Sequence, residues 1–139
     1  MLAYLGTKSD FLRDAPVIED KVRDAVKEKL NFNVSQSEYQ SWRNSLGNAM
    51  SHVMRSEEIP DDAGIAIEYR LNGRRFRLDF VISGLDYQGK ESLVIIELKQ
   101  WKEAQSTTKN DLVLTKYYSG NYSTHPSYQA SSYKGFFVA

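Results

Sequence analysis

The sequence has no cysteine in its 139 residues. That excludes a disulfide framework and thiolate zinc sites, and it fits a reducing cytoplasm. It has no net charge, because 18 lysines and arginines stand against 18 aspartates and glutamates. Without a global positive field, any grip on nucleic acid needs a local patch or another domain. No apolar run approaches the ~18 residues that a membrane helix needs. The opening Met1-Leu2-Ala3-Tyr4-Leu5-Gly6 meets Lys8, Asp10, Arg13 and Asp14 too soon to be a signal peptide. Internal repeats, low-complexity tracts and a clear linker are also missing. His52 and His125 do not form a metal-ligand pair; the first reads as a helix-surface residue and the second as the residue where a helix begins.

What is present suits one domain with room for a core. Apolar residues make up 41% and charged residues 26% of the chain, ordinary values for a globular protein. Pro16 to Leu30 reads as a helix, with Ile18, Val22, Ala25 and Val26 at helical spacing. A second helix starts at Ser35. Ser35-Gln36-Ser37-Glu38 has capping-box spacing, and Trp42, Leu46, Ala49, Met50 and Val53 form one apolar stripe. Strands follow: Gly64 to Leu71, then Arg74 to Ile82 after an Asn72-Gly73 hairpin turn. A polar turn, Asp86 to Lys90, leads to Ser92-Leu93-Val94-Ile95-Ile96, bounded like a buried strand. A weak strand near Asp111 to Tyr117 precedes a last helix from Pro126, still running at Ala139. This order predicts an α/β sandwich with helices flanking a mixed β-sheet.

The chemistry concentrates where the third strand ends. In Glu97-Leu98-Lys99 the charged side chains are two apart and project to one side. Asp79, in the preceding strand, is symmetric with Glu97 about Gln88, the centre of the predicted turn. Antiparallel pairing about that centre would bring the two carboxylates roughly 5 Å apart at Cβ. Such carboxylates repel unless a proton or cation separates them, and their hard oxygens suit Mg²⁺ or Mn²⁺. Lys99 beside them could position a water, help it lose a proton, or offset phosphate charge, as metal-assisted phosphodiester hydrolysis requires.

Asp79 followed by an apolar strand and Glu97-Leu98-Lys99 resembles the D…ExK signature of PD-(D/E)XK nucleases. Gln129-Ala130-Ser131-Ser132-Tyr133 is similar to the QxxxY motif of their RecB-like branch, with Gln129 and Tyr133 on one helix face. Ser41 to Leu46, Glu97 to Trp101 and His125 to Gln129 further resemble the N-terminal nuclease-like domain of bacterial proteins that continue into a Schlafen-type P-loop helicase domain. The resemblance spans nearly the whole chain, with Ser131 standing where many relatives carry tryptophan. It implies a restriction-endonuclease-like fold and a DNA-cleaving nuclease with Mg²⁺ or Mn²⁺. Asp79, Glu97 and the Leu98 carbonyl would be ligands, Lys99 would be catalytic, and Gln129 and Tyr133 would support the site and touch nucleic acid. No P-loop occurs here, so a helicase domain would lie in a longer protein of which this chain is the first part.

Several residues keep two readings. Glu38 is either half of the capping box or an extra metal ligand. Glu68 either joins the carboxylates or pairs with Arg77 across the hairpin. Gln100 either touches substrate or solvates a strand end. Arg70, Arg74, Arg75 and Arg77 form a phosphate-tracking patch or a solvated strand face. Trp42 and Trp101 read as packing residues rather than base-stacking platforms. The rival function is a catalytically silent nucleic-acid-binding or docking module of a helicase protein.

Overall fold

The structure is a computed structural model that describes residues 1–70, 77–115 and 122–134. The chain forms two compact units, Met1–Ile96 and Glu97–Ala139.

The first unit opens with strand β1 (Tyr4–Thr7) and helix α1 (Lys8–Asp14), neither of which the sequence pattern announced. Both are short, and α1 starts on a capping box between Thr7 and Asp10. The Thr7 backbone N–H and hydroxyl hold the Asp10 carboxyl below its ordinary value. The predicted helix follows as a 3₁₀ turn, Ala15–Val17, and then α2 (Ile18–Leu30). Its end at Leu30 is as expected, because Asn31 adopts a left-handed backbone (φ 54°) and its N–H caps the Lys27 carbonyl. Ile18, Val22 and Val26 are fully buried.

Helix α3 (Gln36–Trp42) begins at the Ser35 cap, but the helix then changes type. Arg43–Met50 is π-helical and α4 (Ser51–Val53) closes the segment. The buried apolar residues are Trp42, Leu46, Met50 and Met54, a uniform spacing of four, whereas Ala49 and Val53 of the expected stripe are exposed. A helix bonded i→i+5 turns less per residue than an α-helix, so its buried stripe recurs at longer intervals. Beyond it, buried Lys8 fixes the return to the sheet: its ammonium donates to the Ser56 and Ile59 carbonyls at 2.8 and 2.6 Å.

The sheet runs β1-β2-β3-β4, with β2 (Gly64–Arg70), β3 (Arg77–Leu85) and β4 (Glu91–Ile96). Among the described residues every pairing is antiparallel, in place of the expected mixed sheet. Short connections between β2, β3 and β4 dictate this, since parallel neighbours need a long crossover. The Asn72-Gly73 turn lies outside the described residues. The β2–β3 register nevertheless departs from a two-residue turn there: Arg70 faces Arg77 and Tyr69 faces Leu78, two residues away from the expected alignment. A slip of two keeps every side chain on its face. The β3–β4 register is the expected one, symmetric about Gln88, with Phe80 opposite Ile96 and Ile82 opposite Val94. Gly89 at φ +75° and the Asp86 carboxylate, which accepts from the Gln88 and Lys90 N–H groups, shape that turn. β4 is not the buried strand expected: Leu93 and Val94 are 41% and 53% exposed, because the strand sits at the sheet's edge.

The second unit has an antiparallel sheet of β5 (Ala104–Ser106), β6 (Leu112–Thr115) and β7 (Tyr122–Thr124), followed by α5 (Pro126–Lys134). The Ser127 N–H donates to His125 Nδ1 at 3.1 Å, placing this histidine at the helix start as expected. The continuation of the helix toward Ala139 lies outside the described residues. Among the described residues, no helix is long and apolar enough to cross a membrane.

The core of the first unit turns on Phe80, which is fully buried and meets the Phe11 ring edge-on at 5.3 Å. Phe80→Ala is expected to destabilise the protein by about 3–5 kcal/mol, against at most about 0.5 kcal/mol for Leu85→Ser on the surface. Urea unfolding of the two variants checks this.

Candidate active site

Strand β3 presents Asp79 between two core residues, Leu78 and Phe80. Alternation turns its carboxylate away from them, toward Arg77 two residues earlier, whose Nε lies 3.7 Å from Asp79 Oδ1. Arg77 does more than the sequence suggested. Its Nη1 donates to Glu38 Oε1 at 2.7 Å, and its Nε stands 3.4 Å from Glu68 Oε2. One guanidinium thus serves three carboxylates. Glu38 completes only half of the predicted capping box: Ser35 Oγ accepts from the Glu38 N–H at 3.2 Å, while the carboxylate turns to Arg77. The Glu68–Arg77 ion pair forms as expected, although the register shift means that the two are not directly opposed.

Glu68 is the most confined acid of the first unit. It is 2% exposed, and its backbone is left-handed at φ 53°, a conformation that costs a non-glycine residue about 1–3 kcal/mol. Trp42 Nε1–H donates to Glu68 Oε1 at 2.9 Å, so Trp42 is a packing residue with its polar atom satisfied. Burial pushes the Glu68 carboxyl above its ordinary value, against the pull of Arg77 and of the Trp42 hydrogen bond. Burial would lower the Arg77 pKa, but Glu68, Asp79 and Glu38 outweigh it and the net direction is upward.

The second unit holds the rest of the predicted site. Lys99 Nζ donates to Glu97 Oε1 at 2.8 Å and to Gln129 Oε1 at 3.0 Å. Gln129 Nε2 in turn donates to the Tyr133 hydroxyl at 3.0 Å. The chain Glu97–Lys99–Gln129–Tyr133 therefore links the two motifs, 30 residues apart, through one ammonium group. Glu97 and Lys99 share a side, as the two-residue spacing requires, although the strand itself ends at Ile96. Lys99 Nζ also lies 6.0 Å from the ring centre of half-buried Trp101. Gln100 is exposed, and its two readings remain. Arg77 as a hub was missed, though its signal was available: it stands two residues before Asp79 on the same strand face.

Among the described residues, no group of three or more His, Asp or Glu side chains is arranged to hold a metal ion. No family model, curated protein or solved structure matches the chain.

Two measurements test the Arg77 cluster. Arg77→Ala leaves the buried Glu68 carboxylate with the Trp42 N–H and with Arg70 at 3.7 Å, and is expected to cost about 1.5–3 kcal/mol, partly recovered by adding Glu68→Gln. For pH, the raised Glu68 pKa means that the folded state holds its proton more tightly than the unfolded chain. The stability from this group is complete below the ordinary value of 4.5 and is lost as pH climbs through the raised folded value. Glu68→Gln should flatten that decline in unfolding experiments run upward from pH 4.

Proposed function

We propose that this chain is a divalent-metal-dependent nuclease that hydrolyses DNA phosphodiester bonds and works as part of a longer, helicase-bearing protein. The observation that carries the reading is Lys99 hydrogen-bonded at once to Glu97 and Gln129. That joins the ExK and QxxxY elements of the PD-(D/E)XK pattern in one cluster.

In this reading Asp79, Glu97 and the Leu98 carbonyl would be oxygen ligands of Mg²⁺ or Mn²⁺. Mg²⁺ keeps several waters and takes one or two carboxylates, so Asp79 and Glu97 with the Leu98 carbonyl are sufficient, and Glu38 is not needed. The bound ion would supply a polarised water and charge neutralisation on the phosphate. The chain's own part is to aim an ammonium. Glu97 and Gln129 hold Lys99 Nζ from two directions, which fixes it to orient the attacking water and offset developing negative charge. Tyr133, buried on α5, holds Gln129 in turn.

A second reading, a silent nucleic-acid-binding or docking module, is favoured by Arg77, an internal cation 3.7 Å from Asp79 that already offsets its charge. Calorimetry with Mn²⁺ separates the two, because a docking module has no use for a divalent ion at Asp79.

The test is incubation with labelled single- and double-stranded DNA and RNA in Mg²⁺, Mn²⁺ or chelator. Asp79→Ala and Lys99→Ala should each abolish nearly all cleavage with the fold intact. Asp79→Ala should also weaken metal binding, while Lys99→Ala mostly spares it, since only the carboxylate is a ligand. Full activity in either variant overturns the assignment.

A further inference from the structure

Beside the β4 edge of the first unit lies a groove of about 540 Å³ that the fold leaves open. Its floor comes from two strands. Ile82 of β3 faces Val94 of β4, and Gly84 faces Ser92. Paired residues share a face of the sheet, and so do residues two apart, so these four lie on one side. The floor stands beyond the reach of β2, whose pairing with β3 stops at Gly64 and Ser83. A methyl group on Gly84 would meet no atom within 4 Å apart from its chain neighbours. One wall is formed by Ile59, Pro60 and Ala63, and it is fixed in place. Lys8 Nζ donates to the Ile59 carbonyl at 2.6 Å, the Lys8 N–H to the Ala63 carbonyl at 2.8 Å, and the Ala63 N–H to the Pro60 carbonyl at 3.0 Å. The groove is therefore preformed, and an occupant does not have to order it.

The charges around this apolar floor are of one sign. Glu58 and Asp62 stand at the rim, both exposed, and among the described residues no lysine, arginine or histidine lines the groove. Such a rim repels a phosphate backbone and attracts lysine or arginine. The neighbouring β4 is the outer strand of its sheet among the described residues. A strand so placed offers backbone N–H and C=O groups to a further strand. Leu93 and Val94 point to opposite faces, and both are exposed, so neither face of this edge is closed to an added strand.

We propose that the β4 edge and this groove dock an extended segment of a partner protein, apolar at alternate positions and rich in lysine or arginine. The segment adds a strand to β4 through its backbone, and its apolar side chains on one face fill the space over Gly84. Its basic side chains meet Glu58 and Asp62 at the rim. The backbone bonds supply affinity, while the groove and its acids supply selectivity. Every residue of the site belongs to Met1–Ile96, and the inference stands apart from the nuclease reading.

The experiment starts from random peptides of about twelve residues, long enough to cover the six residues of β4 with room at both ends. They are displayed on phage and selected on the full chain. The enriched sequences should alternate apolar residues and carry an excess of lysine and arginine. A fluorescein-labelled synthetic copy of the commonest one is then the probe in fluorescence anisotropy. Gly84→Trp fills the open space at a backbone that is not left-handed, and it should weaken binding at least about tenfold. Asp62→Lys should weaken it by about tenfold at low salt and by less at high salt. N-methylating alternate peptide bonds of the probe should abolish binding in one of the two frames only, because alternate residues of a strand donate to the same neighbour. Thermal unfolding of each variant runs alongside, and if Gly84→Trp does not fold, Asp62→Lys on the exposed rim decides. Selection that enriches no basic, apolar sequence overturns the proposal. So does probe affinity unchanged in the folded variants, or equal binding of the two N-methylated frames. Sedimentation showing self-association that Gly84→Trp abolishes overturns it as well, since the occupant is then a second copy of the chain.

Discussion

A carboxylate buried in the middle of a strand organises the first unit. Glu68 has lost nearly all contact with water, and a charge so placed must find partners or lose its ionisation. Trp42 reaches it from α3 with an N–H, and Arg77 reaches it from β3 with a guanidinium. Helix α3 is thereby tied to the central strands at a polar point rather than only through apolar packing. The same guanidinium extends to Glu38 at the start of α3 and to Asp79. Asp79 thus sits within a charge network whose other members serve the fold. Loss of Arg77 would remove a cation that stands 3.7 Å from Asp79.

The second unit is organised by the opposite charge. Lys99 is held by two acceptors, one from its own segment and one from α5. An ammonium with two fixed partners has little rotational freedom left, which separates a lysine that can serve chemistry from one that merely decorates a surface. The Gln129–Tyr133 bond one helical turn further on passes this constraint to a buried phenol. Lys99, Gln129 and Tyr133 therefore behave as one arrangement, and a change in any of them should disturb the others.

Much of this was legible in the residues, for reasons that differ by element. Ser35 announced its helix because a serine oxygen can satisfy a free N–H only at that position. The Asp86–Lys90 turn fixed the β3–β4 register because its centre defines which residues face each other. Glu97 and Lys99 announced their common side through their spacing alone. Other features depend on what lies far away in sequence. β1 pairs with β2 across some sixty residues, and four residues carry no signal of that partner. The apolar run of β4 looked buried, but a run of valine and isoleucine does not reveal whether anything covers it. The two-residue shift between β2 and β3, and the left-handed backbone of Glu68, are likewise set by three-dimensional fit rather than by local preference.

The π-helical stretch Arg43–Met50 shifts the phase of its helix. Buried positions 42, 46, 50 and 54 are an α-helical 4-3-4 rhythm with one residue too many. Ser45 and Ser51 bond back to the carbonyls of Ser41 and Gly47, occupying backbone acceptors where the regular ladder is disturbed. The segment holds one residue more than an α-helix presenting the same stripe. Removing one residue near Gly47 or Asn48 would restore ordinary α-helical phase while keeping Trp42, Leu46, Met50 and Met54 on one side. A one-residue deletion at this point of the helix therefore leaves in place the tryptophan that holds Glu68.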